Sequence, residues 1–260
     1  MDRRKFLNRM SAATAASIAG AATLSGKADA LEDAMSSDLD KRRSKSRLLC
    51  NVDGELDIDP DDNRPYFQHH DPLLPEMPKE PTLIDFFNLR FRPQHVLQSA
   101  RLAVQNNSSE KVVTACLLHD IGLNLVGTDH GYWCAQLIKP YVDEEIVWAI
   151  EKHQALRFFP DEDYGYEYPE AYIRLFGEDY EPEPYLKQAY EEAKGHKWYD
   201  TARQITINDL YSFNREITVE VDEFTDIIGR NFRQPKGGLG FDGSPVAHMW
   251  RTMIWPNNFL

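Results

Sequence analysis

The chain has 260 residues, 42% of them hydrophobic and 12% aromatic, which is enough for one sizeable core and too little for two generous ones. Its formal charge of -13 and pI of about 5.1 withhold the basic footprint that non-specific nucleic-acid binding requires, so no nucleic-acid partner is expected. An anionic substrate would need a local basic pocket.

The first thirty residues stand apart from the fold. "MDRRKFLNRM" sets Arg3-Arg4 ahead of Phe6-Leu7, the weakly apolar "SAATAASIAGAATLSG" follows, and "ADA" at 28–30 offers a small-x-small cleavage pattern. Residues 1–30 therefore resemble a twin-arginine export signal, although Asp2 stands where such signals usually carry Ser or Thr. The resemblance implies a bacterial protein exported to the periplasm or beyond, with no stable membrane anchor once the signal is removed. Removal leaves 24 basic against 40 acidic residues, a net charge of -16. That route carries folded and often cofactor-loaded proteins, which points to metal inserted before translocation. Cys50, Cys116 and Cys134 lack C-x-x-C spacing, so neither a disulfide scaffold nor a zinc knuckle follows.

Residues 31–81 are polar, acidic and punctuated by prolines, from "SSDLDKRRSKSR" to "DPLLPEMPKEP", and read as an extended arm with His69-His70 as a solvated pair. The catalytic domain is expected over 82–230 and a C-terminal tail over 231–260. Pro93 opens "PQHVLQSARLAVQ", in which Val96, Leu97, Ala100 and Val104 recur at helical spacing and His95 lies in the first turn. "SSEKVVTACLLHDIG" starts on a serine cap and ends on Gly122, so His119 and Asp120 close this helix.

Asp129 can cap "HGYWCAQLIK" and Asp143 can cap "EEIVWAIEKHQAL", placing His130 at the start of one helix and His153 at the end of the next. After an aromatic, acidic excursion from 158 to about 182, helical patterns return in "PYLKQAYEEAKG" and "WYDTARQITINDLYSFN", with Ile205 and Leu210 as buried anchors beside Asp209. No period-two strand series and no internal repeat occurs. The predicted class is all-α.

Four histidines and two aspartates thus fall at or near apolar helix segments: His95, His119, Asp120, His130, His153 and Asp209. Buried titratable groups need hydrogen bonds or a metal, and mixed imidazole and carboxylate donors suit iron, manganese or zinc. A shared carboxylate can bridge two ions.

In order, "QH", "HDIG", "DH", "KH" and "ND" resemble the H…HD…H…H…D pattern of the HD-domain superfamily over about 95–215, and the two histidines between the HD pair and the last aspartate resemble its di-metal members. "RPQHVLQSA", "LLHDIG" and "WYDTARQITINDLYSF" look most like the mixed-valent di-iron oxygenases, the group that includes myo-inositol oxygenase and the aminohydroxyethylphosphonate oxygenase. The resemblance implies a helical bundle around a dinuclear site. In it His95, His119, Asp120 and Asp209 hold one iron, and Asp120 bridges to a second held by His130 and His153. It also implies an Fe(II)/Fe(III) pair that uses dioxygen to oxidise or cleave a small hydroxylated substrate.

The chain departs from that pattern at Leu123, where both named relatives carry a basic or imidazole side chain that helps hold substrate. Arg157, four residues past His153, falls where the phosphonate enzyme has a basic substrate-binding residue; it could meet an anionic group bidentately or snorkel over Phe158 or Phe159. Asp85, ten residues ahead of His95, could face substrate or serve as a helix cap. "KGGLGFDGS" at 236–244 fits no phosphate-binding loop and reads as a flexible turn, and His196 and His248 have no ligand partners nearby in sequence. The alternative within enzymes is a metal-dependent phosphohydrolase of the same superfamily, loaded with manganese or zinc and activating water against a phosphate ester. No catalytic acid or base is assigned by the sequence.

Overall fold

The computed structural model describes residues 74–127 and 129–255. The export signal expected at 1–30, His69-His70, Cys50 and most of the arm expected over 31–81 lie outside the described residues. Within them the chain is all-α, as the periodicity predicts: ten α-helices and two short 3-10 turns, with a single isolated bridge between Asp161 and Tyr166.

Helix α1 (Leu83–Leu89) starts on a reciprocal capping box, in which Asp85 N donates to Thr82 Oγ1 at 3.1 Å while Asp85 Oδ2 accepts from Thr82 N at 2.8 Å. Asp85 thus serves the helix start, as the N3 partner of the Thr82 N-cap. It makes no hydrogen bond or ion pair to any of the six candidate ligands.

Helix α2 (Gln94–Gln105) begins after Pro93 and buries His95, Val96, Leu97 and Ala100 as expected, but Val104 is exposed and Ala103 takes the inward position. Helix α3 (Glu110–Leu118) is capped by the Ser109 hydroxyl and is buried from Val112 onward on every side, the signature of a central helix. It ends at Leu118 with His119 as its C-cap. Gly122 lies beyond it, buried in the 3-10 turn Ile121–Asn124, instead of terminating the helix.

Helices α4 (His130–Ile138) and α5 (Glu144–Leu156) follow, then α6 (Glu170–Phe176) inside the aromatic excursion, α7 (Pro184–Lys194) and α8 (Tyr199–Leu210). Asp129 and Asp143 do precede α4 and α5, yet neither side chain makes the capping hydrogen bond; Asp129 Oδ1 accepts the Tyr185 hydroxyl at 2.6 Å instead. Helix α3 packs on α2 and α5, α5 packs on α4 and α8, and α8 closes against α2. The α4–α5 approach depends on Gly131, where a Cβ would stand 2.9 Å from the Ile150 carbonyl oxygen.

The C-terminal region belongs to the same core. A 3-10 turn (Val221–Phe224), α9 (Thr225–Asn231) and α10 (Ala247–Ile254) bring Phe224, Trp250 and Ile254 into one apolar cluster with Phe86, Phe87 and Leu117. "KGGLGFDGS" is a fixed connection, not a flexible turn: Leu239 is fully buried and its N–H donates to Pro81 O at 2.8 Å. Gly238, at φ 88°, sits so close to Pro81 that a Cβ would lie 2.6 Å from its ring. No helix of the described residues is long and apolar enough to cross a membrane.

Candidate metal centre

The six sequence-selected residues converge at the middle of the bundle. His95 comes from the first turn of α2, His119 and Asp120 from the end of α3, His130 from the start of α4, His153 from the last turn of α5 and Asp209 from the last turn of α8. All six are buried, at 8% exposure or less. Three overlapping sets bring donor atoms close enough to share an ion: His95 with His119 and Asp120; His119 with His153 and Asp209; Asp120 with His130 and His153.

The outward nitrogens fix what the inward ones offer. His119 Nδ1 lies 2.8 Å from Cys116 O and His153 Nδ1 2.6 Å from Ile150 O; a carbonyl only accepts, so each Nδ1 carries a proton and, in the neutral ring, each Nε2 presents a lone pair inward. Ser212 Oγ donates to Asp209 O at 2.7 Å, which leaves it to accept from His95 Nδ1 at 2.9 Å. The His95 lone pair then faces Asp209 Oδ1 at 2.8 Å and Asp120 Oδ2 at 3.4 Å. Two acceptors at that separation repel unless a positive charge lies between them.

The same conflict recurs around Asp120. Its Oδ1 faces His119 Nε2 at 3.6 Å and His130 Nε2 at 3.3 Å, while Oδ2 faces His95. The inward Nε2 of all four histidines, Asp120 Oδ1 and Asp209 Oδ1 are buried without a hydrogen-bond partner, and Asp209 Oδ2 meets the Arg157 guanidinium. So many orphaned acceptors in one place cost several kcal/mol each if left so. Metal–donor bonds of about 2.0–2.2 Å place neighbouring donors about 3 Å apart, close to the separations found here. The donor set fits metal ions.

Electrostatics prepares both carboxylates as anions. Burial alone would raise the Asp120 carboxyl, but the nearby His119, His130 and His95 outweigh it and hold the group below the usual carboxylate range. Burial likewise opposes ionisation of Asp209, and Arg157, then His119 and His95, hold it well below that range. Desolvation first, and then neighbouring cations, push His130 down to about 4 and His153 well below the ordinary imidazole value. These two are neutral donors near pH 7. His119 differs: burial pulls it down, yet Asp120 and Asp209 raise it, so an incoming ion would compete there with a proton.

Arg157 is not the surface arginine that its sequence context allowed. Its side chain is only 16% exposed and forms an ion pair with Asp209 Oδ2, with the guanidinium carbon 5.7 Å from the centre of the Tyr172 ring. Asp200, by contrast, is exposed at the start of α8 and accepts from Tyr164 and Gln204. Leu123 lies half-buried in the turn after Asp120. His196 stacks on Trp148 with ring centres 4.0 Å apart, away from the six.

Sequence reasoning missed several supporting residues. Phe213 stacks on the His95 ring at 4.2 Å, and Ser212 orients that ring from behind. Arg203, close in sequence to the charged Lys197 and Asp200, is fully buried and donates to Leu156 O and Phe159 O. The adjacency of Ser212 and Phe213 to Asp209 was the one available signal, and nothing in periodicity marked it. Cys116 and Cys134 are buried free thiols. A groove of about 530 Å³ lined by Leu83, Ile228, Arg230 and Phe232 includes none of the six, so the chemistry is located by donors and not by cavity size.

No curated protein matches the chain. Residues 92–197 match the HD domain, an all-α fold whose members are typically metal-dependent enzymes; five of the six converging side chains fall inside that match and Asp209 is added to them from beyond it by the fold.

Proposed function

We propose that this chain is a di-iron oxygenase that uses dioxygen to oxidise or cleave a small hydroxylated compound. His95, His119, Asp120 and Asp209 would hold one iron; His130 and His153, with Asp120 shared, would hold the other. The observation that carries the two-ion reading is Asp120, whose two oxygens face different imidazoles: Oδ2 towards His95, Oδ1 towards His119 and His130. When bound, a pair of irons supplies one-electron and dioxygen chemistry, whereas redox-inert ions at the same donors supply Lewis-acid activation of water.

The residues themselves bind, orient and exclude water. Ser212, Cys116 O and Ile150 O fix three imidazole rings through Nδ1, which raises their basicity and holds each Nε2 on the centre. Phe213 shields His95 on one side, and Tyr172 covers Arg157 on the other. Four imidazoles for two carboxylates is the donor balance that favours iron over magnesium or calcium.

The test is metal analysis of anaerobically purified protein with Mössbauer and EPR spectra. Two irons per chain and a mixed-valent signal that changes on adding a hydroxylated substrate are expected. Manganese or zinc at the site, with phosphate-ester hydrolysis and no such signal, would replace this reading with the phosphohydrolase one.

A further inference from the structure

Asp209 is approached from two sides. Its Oδ1 faces His95 Nε2 at 2.8 Å and His119 Nε2 at 3.6 Å, while Oδ2 lies against the Arg157 guanidinium. Arg157 is itself held in place: the Tyr172 ring lies beneath its guanidinium, and its main-chain carbonyl accepts the Tyr166 hydroxyl at 2.9 Å.

The corner that carries Arg157 is clamped from below. Arg203 Nη1 donates to Leu156 O at 3.0 Å and to Phe159 O at 3.3 Å, bracketing residue 157. The same guanidinium pairs with Asp161 at 3.3 Å and lies over the Tyr166 ring at 5.0 Å. Swinging Arg157 into solvent would leave a buried carboxylate without its cation. Arg157 is therefore committed to Asp209.

We infer that Arg157 is a positioning residue for Asp209: by occupying Oδ2 it limits the carboxylate to a single oxygen, Oδ1, for the ion, and so keeps a neighbouring coordination position open for water or a substrate oxygen. The inference rests on the metal-centre reading above. A carboxylate free of the guanidinium could chelate with both oxygens, and a fixed positive charge beside a divalent ion opposes its binding in a medium of low dielectric. Arg157 thus trades metal affinity for an open site, as catalytic centres do.

Zinc titration of the metal-stripped full chain by calorimetry tests this. Arg157→Gln should bind its first zinc ion about tenfold more tightly than the parent chain, a change of about 1.4 kcal/mol. Arg157→Lys keeps a cation beside the buried carboxylate, which protects the fold, but lacks the planar fork, and should show a smaller gain of the same sign. A residue that merely supported the fold would lose zinc affinity on substitution. Unchanged or weaker binding in the variants overturns the inference, and Arg157→Lys alone decides it by the same sign if Arg157→Gln does not fold. A parent chain that takes up no zinc, manganese or iron would overturn the metal-centre reading itself, an outcome distinguishable from the first.

Discussion

At the scale of single residues, helix α8 contrasts two aspartates nine positions apart. That spacing is two and a half helical turns, so on one helix only one of them can point into the bundle. Asp209 is 1% exposed and faces His95, His119 and Arg157, whereas Asp200 is exposed and pairs with Tyr164 and Gln204. Asp209→Asn should strip or weaken one ion and abolish turnover; Asp200→Asn should cost at most about 1 kcal/mol, the scale of a helix-start interaction. Metal counting and chemical denaturation of both variants check this, and the reverse pattern would remove Asp209 from the proposed ligand set. The placement of Asp209 was legible because Ile205 and Leu210 mark the buried stripe beside it. Arg203 was not, since an arginine near Asp200 and Lys197 reads as solvent-facing until the carbonyls of Leu156 and Phe159 are seen to accept from it. Arg157 was half legible: the resemblance offered it as a cation that could bind an anionic group, but the partner it meets, Asp209, lies 52 positions away and is supplied only by tertiary packing.

At the scale of elements, the helices were read from apolar spacing and punctuation, and the errors fall where those signals are weak. Helix α6 spans only seven residues between acidic and aromatic neighbours, too short for its period to stand out. Gly122 looked like a helix end, yet it lies four residues past Leu118 in a tight buried turn. Gly131 carries the sharper consequence. It follows His130 directly and lets α4 approach α5 so closely that a Cβ would lie 2.9 Å from Ile150 O and 3.3 Å from Glu151 O, both main-chain atoms that cannot swing aside. Ile150 O is also the acceptor that holds the His153 ring. Gly131→Ala should therefore push α4 away from α5, destabilise the protein by about 1–3 kcal/mol as overpacking does, and weaken the second ion more than the first. Metal stoichiometry at limiting metal together with a melting curve measures both effects. Equal loss of the two ions would mean that the α4–α5 spacing does not set the second site.

At the scale of the molecule, one apolar cluster runs from α1 through the central α3 to α10, so Phe86, Leu117 and Trp250 share a core although they span most of the described chain. The 231–260 region read from sequence as a C-terminal tail; Trp250, fully buried and donating to Leu137 O at 3.3 Å, places α10 in that core. Such a core should unfold as a unit, which makes stability a reporter for the centre embedded in it. Without ions, the bundle buries two carboxylates and four inward imidazole nitrogens, with Arg157 as the fixed cation among them. An ion that binds the folded chain and not the unfolded one stabilises it by about 2.7 kcal/mol at a hundred times its dissociation constant. For a chain of this size each kcal/mol shifts the melting midpoint by roughly 2–4 °C, so chelation should lower it by about 5–10 °C while leaving one transition. Asp120→Ala removes the carboxylate that both proposed sites share, so its midpoint should no longer respond to metal or chelator. Retention of the full shift in Asp120→Ala, with two ions still bound, would exclude Asp120 as the bridge; loss of the shift with the fold intact is the result expected of a carboxylate that joins both sites.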